Sequence, residues 1–174
     1  NESLKYGAEA WFLRSSDLAS DNSAKLPAIR DALVRAELYF KKNFNYIVDL
    51  DSTSPLRNTS DIVNAFNLFK KEKSDNLFSV NVSKKNPYFN IVEKNQNEIN
   101  IVKKLDNNIK RRQDAPITYD MNASIYIWKR NALMSSNNLF TKKTSLYIMP
   151  EERSVDIDSQ LDWDIVEFLI RKKT

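Results

Sequence analysis

Short runs of branched and aromatic residues alternate with amphipathic stretches along the first half of the chain, and this rhythm constrains the fold more than any other feature. "EAWFL" (Glu9 to Leu13) reads as a short buried strand. "LPAIRDALVRAELYF" sets Ile29, Leu33, Ala36 and Phe40 at three- and four-residue steps, the period of a helix, with Pro27 in its first turn. "YIVDL" (Tyr46 to Leu50) reads as a central strand. "TSDIVNAFNLFKK" opens on Thr59 and Ser60 as capping candidates and places Ile62, Phe66 and Phe69 on one helical face. "LFSVNV" is the next strand. Strand, helix, strand, helix, strand implies parallel pairing through right-handed crossovers, hence an α/β fold.

The pattern then changes. "YFNIVEKNQNEINIVKKL" holds two alternating runs, Phe89 to Val92 and Ile99 to Val102, about a polar turn, and this predicts a hairpin attached to the sheet. "SIYIW" and "SLYIM" are further strands, and a closing helix is expected to turn Leu161, Ile165, Phe168 and Leu169 inward. With 174 residues, no linker and no repeat, positions 1–174 read as one domain with a hairpin insertion across 83–110.

Composition removes whole classes of chemistry. Cysteine and histidine are absent, so thiolate sites, Ser-His and Cys-His pairs and the usual zinc ligands are excluded. Any metal must be a hard ion held by carboxylates, such as magnesium. Only one glycine occurs, Gly7, where a chain of this size should carry about twelve, so no glycine-rich phosphate loop lies within it. The net charge of +4 comes from scattered lysines, with Lys70-Lys71 and Lys172-Lys173 at expected helix ends. No basic stripe interleaved with aromatics appears, so no nucleic-acid partner is expected. No eighteen-residue apolar run and no signal-peptide pattern appear, so the expectation is a cytoplasmic chain without a membrane partner.

Ligands of open parallel sheets gather beyond the carboxyl ends of the strands, and two polar segments fall there. "LDSTSPLRN" sets Asp51 just past a strand, with Ser52, Thr53 and Ser54 as hydroxyl donors, Pro55 as a stiffener and Arg57 to meet an anion. It also reads as an ordinary turn into a capped helix. "SVDIDSQLDWD" crowds four carboxylates into eleven residues. Asp156 and Asp158, two apart in an extended segment, can face one cation. Equally, Asp158 or Ser159 can cap the last helix and leave Asp156 merely exposed. "KRRQDAP" offers Arg111 and Arg112 either as a solvated loop or as a fork for a carboxylate or phosphate.

Five stretches, in order and over essentially the whole chain, carry a family resemblance: "KYGAEAWFLRSSDLASD", "TSPLRNTSDI", "RRQDAP", "YDMNASIYIW" and "SVDIDSQLDW". They resemble the acylneuraminate cytidylyltransferases, also called CMP-sialic acid synthetases. The resemblance implies a Rossmann-like nucleotidyltransferase, a three-layer sandwich on a mainly parallel sheet with an added β-hairpin dimerisation segment. It implies attack of a nine-carbon keto-sugar acid on the α-phosphorus of CTP, with pyrophosphate leaving. Such chemistry needs positioning and charge neutralisation rather than a covalent nucleophile, so the missing His and Cys are no obstacle.

Residue by residue, the resemblance makes Asp156 and Asp158 the magnesium pair. It assigns Arg112 to the sugar carboxylate, Asn122 and Tyr126 to the same pocket, and Phe140 to an aromatic lent by the partner subunit of a homodimer. Ser54 and Arg57 belong to the substrate loop. This sequence departs from the family at Asp51, where glutamine is usual, at Asp120, where some members have arginine, and at Ala123, where glycine is usual. Asp51 is then expected in the metal shell or against a different sugar substituent, and legionaminic acid is the expected substrate. The family's glycine- and lysine-rich nucleotide loop has no match here, so the expectation is an N-terminally truncated, inactive piece of such an enzyme. The alternative is a catalytically silent binding or assembly domain that keeps the fold.

Overall fold

A computed structural model describes residues 2–20, 23–105 and 111–173, with backbone only at the last of these. The helices are α1 (Glu2–Lys5), α2 (Lys25–Phe40), α3 (Thr59–Lys71), α4 (Arg130–Ser135) and α5 (Gln160–Lys173). The strands are β1 (Tyr46–Leu50), β2 (Asn76–Val82), β3 (Val92–Asn95), β4 (Glu98–Ile101), β5 (Tyr119–Lys129) and β6 (Thr144–Ile148). Four strands form one sheet in the order β1-β5-β2-β6, which mixes parallel and antiparallel neighbours. Burial follows that order. β2 and the second half of β5 are almost continuously buried, as inner strands must be, whereas β1 alternates exposed and half-buried residues.

Several expectations need correction. β1 is an edge strand of this sheet and not a central one. "EAWFL" forms no strand. Its Trp11 instead stacks on Tyr39 at 5.2 Å between ring centroids and meets Phe40 edge-on at 5.0 Å, so aromatic packing rather than a hydrogen-bond ladder anchors it. The hairpin exists as a separate antiparallel pair, Val92 opposite Ile101 and Asn95 opposite Glu98. Its first strand starts at Val92, because Asn86 organises the preceding residues as a turn, its carbonyl taking the N–H groups of Phe89, Asn90 and Ile91. Positions 106–110 of the anticipated 83–110 segment, Asp21 of the first family stretch and the Lys173 side chain lie outside what is described.

The chain divides into two compact units. The first comprises Asn1–Asp49, Phe69–Leu77 and Tyr126–Ser145, with Leu33, Phe69, Leu77, Ile127, Trp128 and Leu133 at its core. Here α2 turns Leu33 inward and leaves Leu38 and Tyr39 exposed, as its period requires. The Arg30 guanidinium reaches across to α4, donating to the carbonyls of Leu133 (2.7 Å) and Ser136. Helix α4 had no expectation from sequence, and it ends that face by burying Leu133 completely.

The second unit comprises Leu50–Leu68, Phe78–Ile125 and Leu146–Thr174, with Leu56, Ala65, Phe78, Val80, Ile125, Met149 and Val166 at its core. Helix α3 is capped by Asn58 rather than by Thr59 or Ser60. The Asn58 carboxamide oxygen accepts the Asp61 N–H at 3.0 Å, while Asp61 accepts the Asn58 N–H at 3.0 Å, a reciprocal box. Helix α5 also differs from expectation. Val166 is its buried residue and Leu169 is half-buried, while Leu161 and Phe168 are exposed.

Candidate functional site

Two polar segments meet within the second unit. One is the loop after β1, residues 51–58. The other is the stretch from Ser154 to Asp158 after β6. Backbone joins them first: the Ile157 N–H donates to the Thr53 carbonyl at 2.9 Å. Ser54, fully buried, then points its hydroxyl between the Asn122 carbonyl at 3.2 Å and an Asp156 carboxylate oxygen at 3.4 Å. Thr53 Oγ1 donates to the Asp51 carboxylate at 3.3 Å. The loop is held from beneath by Arg57, whose Nη1 donates to the carbonyls of Asp51 (2.5 Å), Ser54 (3.0 Å) and Ser124 (3.2 Å). In this arrangement Arg57 works as a brace on the loop backbone. Asp51, Ser54, Arg57 and Asp156 are thus brought together.

Asn122 forms the floor. It is buried, and both halves of its carboxamide are engaged. Its oxygen accepts from Ser79 Oγ at 2.6 Å and from the Ser124 N–H at 3.4 Å. Its nitrogen donates to Ser154 Oγ at 3.0 Å and approaches Met149 Sδ at 3.5 Å. The Ser154 hydroxyl in turn donates to the Pro150 carbonyl at 2.8 Å. A buried amide so satisfied fixes the position of its neighbours. Next to it, Ala123 holds φ at 49°, in the left-handed region, which bends β5 where Asn122 faces Ser154.

The four crowded carboxylates separate into two pairs of roles. Asp162 belongs to the helix. One of its oxygens accepts the Ser159 hydroxyl at 2.7 Å, the Ser159 N–H at 2.8 Å and the Asp158 N–H at 3.2 Å. The Ser159 hydroxyl bond above all holds its carboxyl below the usual range. Ser159 is therefore the cap, and Asp164 takes a hydrogen bond from Gln160 at 2.8 Å. Asp156 is half-buried against Ser54, and Asp158 is exposed two residues on.

No group of three or more acidic side chains that could hold a metal is found among the described residues. A pair of carboxylates suits a hard cation that completes its shell with water and substrate phosphates, as magnesium does. Asp156 and Asp158 are oxygen donors of the kind such a cation takes.

Arg112 lies apart from that cluster, in the short 3-10 turn Arg112–Asp114. Its Nη2 donates to the Lys84 carbonyl at 2.6 Å. It lines a cavity of about 350 Å³ with Ser83, Asn86, Gln113 and Thr118, and the Thr118 hydroxyl is buried there without a hydrogen-bond partner. Arg111 does not join it: its guanidinium closes on its own neighbour Asp114 through two bonds of 2.9 and 3.0 Å. Ser83 donates to the Asp120 carboxylate at 2.6 Å beside this cavity.

Tyr126 and Phe140 belong to the first unit. Tyr126 is buried, and the Lys25 ammonium rests 3.9 Å from its ring centroid while pairing with Asp49 at 3.1 Å. Phe140 is exposed.

Sequence reasoning missed Lys25, and it missed Asp61 and Arg153. Asp61 is buried, and Arg153 grips both its oxygens at 2.9 and 2.8 Å. The spacing of Asn58 and Asp61 was a legible capping signal. Nothing in sequence pairs Asp61 with an arginine ninety-two positions away.

No family model matches the chain. It is 48% identical over 170 residues to the post-translational flagellin modification protein B of Campylobacter coli, covering 98% of this chain and 72% of that protein. It is likewise 48% identical over 169 residues to a CMP-N,N'-diacetyllegionaminic acid synthase of Campylobacter jejuni, covering 97% of this chain and 71% of that protein. The chain belongs to the acylneuraminate cytidylyltransferase family. Its members are nucleotidyltransferases. A more distant member is the N-acylneuraminate cytidylyltransferase of Escherichia coli, 26% identical over 179 residues, which span 97% of this chain and 38% of that protein. Among the described residues no helix is long and apolar enough to cross a membrane.

Proposed function

We propose that this protein transfers CMP from CTP to a nonulosonic acid of the legionaminic type, releasing pyrophosphate. The observation that carries the reading is the junction of the loop after β1 with the Asp156 segment, in a chain 48% identical to a CMP-N,N'-diacetyllegionaminic acid synthase. The sugar's anomeric hydroxyl attacks the α-phosphorus, and the bond to the β-phosphate oxygen breaks. Asp156 and Asp158 hold magnesium, which when bound supplies positive charge to the triphosphate. Ser54 keeps Asp156 turned toward that place, and Arg57 keeps Ser54 and Asp51 from moving.

Asp51 offers a third acidic group, toward the metal shell or a sugar substituent. Arg112 pairs with the sugar carboxylate, for which a planar fork is suited. Asn122 acts here as a positioning residue, since its amide is already engaged. Phe140, exposed, is the aromatic that one subunit lends to the sugar site of its partner. The β3–β4 hairpin serves as the dimerisation segment of a homodimer.

The test is pyrophosphate release by the intact protein with CTP, magnesium and a panel of nonulosonic acids. Asp156→Ala and Asp158→Ala should each lower turnover by about 10²- to 10³-fold while leaving the melting curve in place. Near-normal turnover in both variants, or wild-type turnover in excess EDTA, defeats the reading.

A further inference from the structure

The ion pair between Asp61 and Arg153 lies at the root of both segments that carry the candidate acids. Asp61 is the third residue of α3, seven positions after Ser54, and is 1% exposed. Arg153 closes the short turn Glu151–Arg153, three positions before Asp156. Four groups converge on the Asp61 carboxylate: Arg153 Nε at 2.9 Å, Arg153 Nη2 at 2.8 Å, the Asn58 N–H at 3.0 Å and the Tyr147 hydroxyl at 3.4 Å. From Arg153 onward the segment is held at the Ser154 hydroxyl by Asn122 and at the Ile157 N–H by the Thr53 carbonyl.

Burying an ion pair seldom adds net stability, because desolvation cancels most of the attraction. What a bidentate fork does supply is orientation. A three-residue tether spans at most about 10 Å, so fixing Arg153 confines where Asp156 can lie.

We infer that Asp61 and Arg153 are positioning residues, a clamp that sets the Asp156 carboxylate against Ser54; this rests on the role proposed above for Asp156. The clamp joins the first turn of α3 to the turn after β6. The loop and the acidic segment are thereby locked in one register before substrate arrives. Lysine in place of Arg153 keeps the charge and loses the fork, so it separates orientation from electrostatics.

The experiment uses the intact protein and three variants: Arg153→Lys, Asp61→Asn/Arg153→Gln, and Asp156→Ala as reference. Hydrogen exchange at the Ile157 amide reports the register without any metal. Mn²⁺ binding in the presence of CTP, followed by electron paramagnetic resonance, reports the carboxylates without turnover.

Arg153→Lys should expose the Ile157 amide selectively, while the β2 and β5 amides stay protected, and should weaken Mn²⁺ binding by about tenfold. Its kcat should fall more than the KM for CTP rises. The double variant restores a neutral hydrogen-bonded pair and should recover part of both losses. Unchanged Ile157 exchange in Arg153→Lys overturns the clamp. So does a uniform loss of protection throughout the chain, which would mark a purely global role. If wild type and Asp156→Ala bind Mn²⁺ equally, the metal reading fails, and the Ile157 exchange still decides the clamp.

Discussion

Glu37 in the first unit and Asp61 in the second each receive an arginine fork, and the surroundings of the two pairs differ. Arg130 meets Glu37 through bonds of 2.7 and 2.8 Å, and the Phe44 N–H adds a third at 3.1 Å. That pair closes the turn between α2 and β1 and ties it to the start of α4. The Glu37 side chain keeps 11% of its surface exposed against 1% for Asp61, and Arg130 keeps 35% against 22% for Arg153, so water shares more in the first pair. Asp61 has lost nearly all of its water, and the acids proposed for metal binding follow its partner three and five positions along the chain. The same fork thus serves as a brace where solvent remains, and as a register lock where it has been excluded. Removing one side should be tolerated in the first case and costly in the second.

Asp61→Ala breaks that comparison most severely. It strands the Arg153 guanidinium and opens the α3 capping box together, and the expected loss is about 3 kcal/mol. Urea unfolding followed by circular dichroism measures it as a fall in midpoint at constant slope. A loss no larger than that of Glu37→Ala, measured in parallel, would erase the distinction between the two pairs.

Acid should weaken both pairs. The Arg130 fork, and then the Phe44 N–H, draw the Glu37 carboxyl from 4.5 down to about 2. A carboxyl lowered in the folded state stabilises fully above its unfolded value and loses that contribution as pH falls through the folded one. The Glu37 contribution is therefore whole above pH 4.5 and fades from there toward pH 2. At Asp61 burial pushes the carboxyl upward, but the Arg153 fork and the Asn58 N–H outweigh it, so its net direction is also down. Melting temperature against pH should fall less steeply over that window in Glu37→Gln than in wild type. Parallel curves would show that the Arg130 pair is already broken by competing water.

The elements that sequence revealed best are those decided locally. Helices α2 and α3 follow from their apolar period, and β2, β5 and β6 from short branched runs. The hairpin follows from alternation about a polar turn. Misreadings arose wherever a tertiary partner decided. Residues 9–13 look like a strand until Trp11 finds Tyr39, and β1 looks central until the sheet order leaves it at an edge. At the candidate site, Asp156 and the loop from Asp51 to Arg57 were legible as polar segments after strands. Their junction through Ile157 and Thr53 was not, because a backbone hydrogen bond leaves no residue signature. For the same reason Arg57, read as an anion contact, is found bracing three carbonyls.

The scarcity of glycine gives the smallest and sharpest comparison. Among the described residues, four other than glycine hold positive φ: Lys41 and Lys73 in the first unit, and Gln96 and Ala123 in the second. Lys41 is the left-handed cap of α2, a position where glycine is the usual residue and a side chain costs about 1 kcal/mol. Ala123 has the same handedness, with φ of 49°, but sits within β5 between Asn122 and Ser124. Left-handed backbone at alanine costs about 1–2 kcal/mol. Glycine would remove that strain and return about 0.5–1 kcal/mol as extra freedom of the unfolded chain. Lys41→Gly and Ala123→Gly should each therefore raise stability by roughly 0.5 kcal/mol, read as a small rise in urea midpoint. Their effects should diverge in activity. Lys41→Gly touches no candidate residue and should leave kcat unchanged, whereas Ala123→Gly frees the backbone beside Asn122 and should alter kcat or the KM for the sugar acid. A destabilised Ala123→Gly would mean that the bend in β5 is held by its neighbours at no cost to alanine.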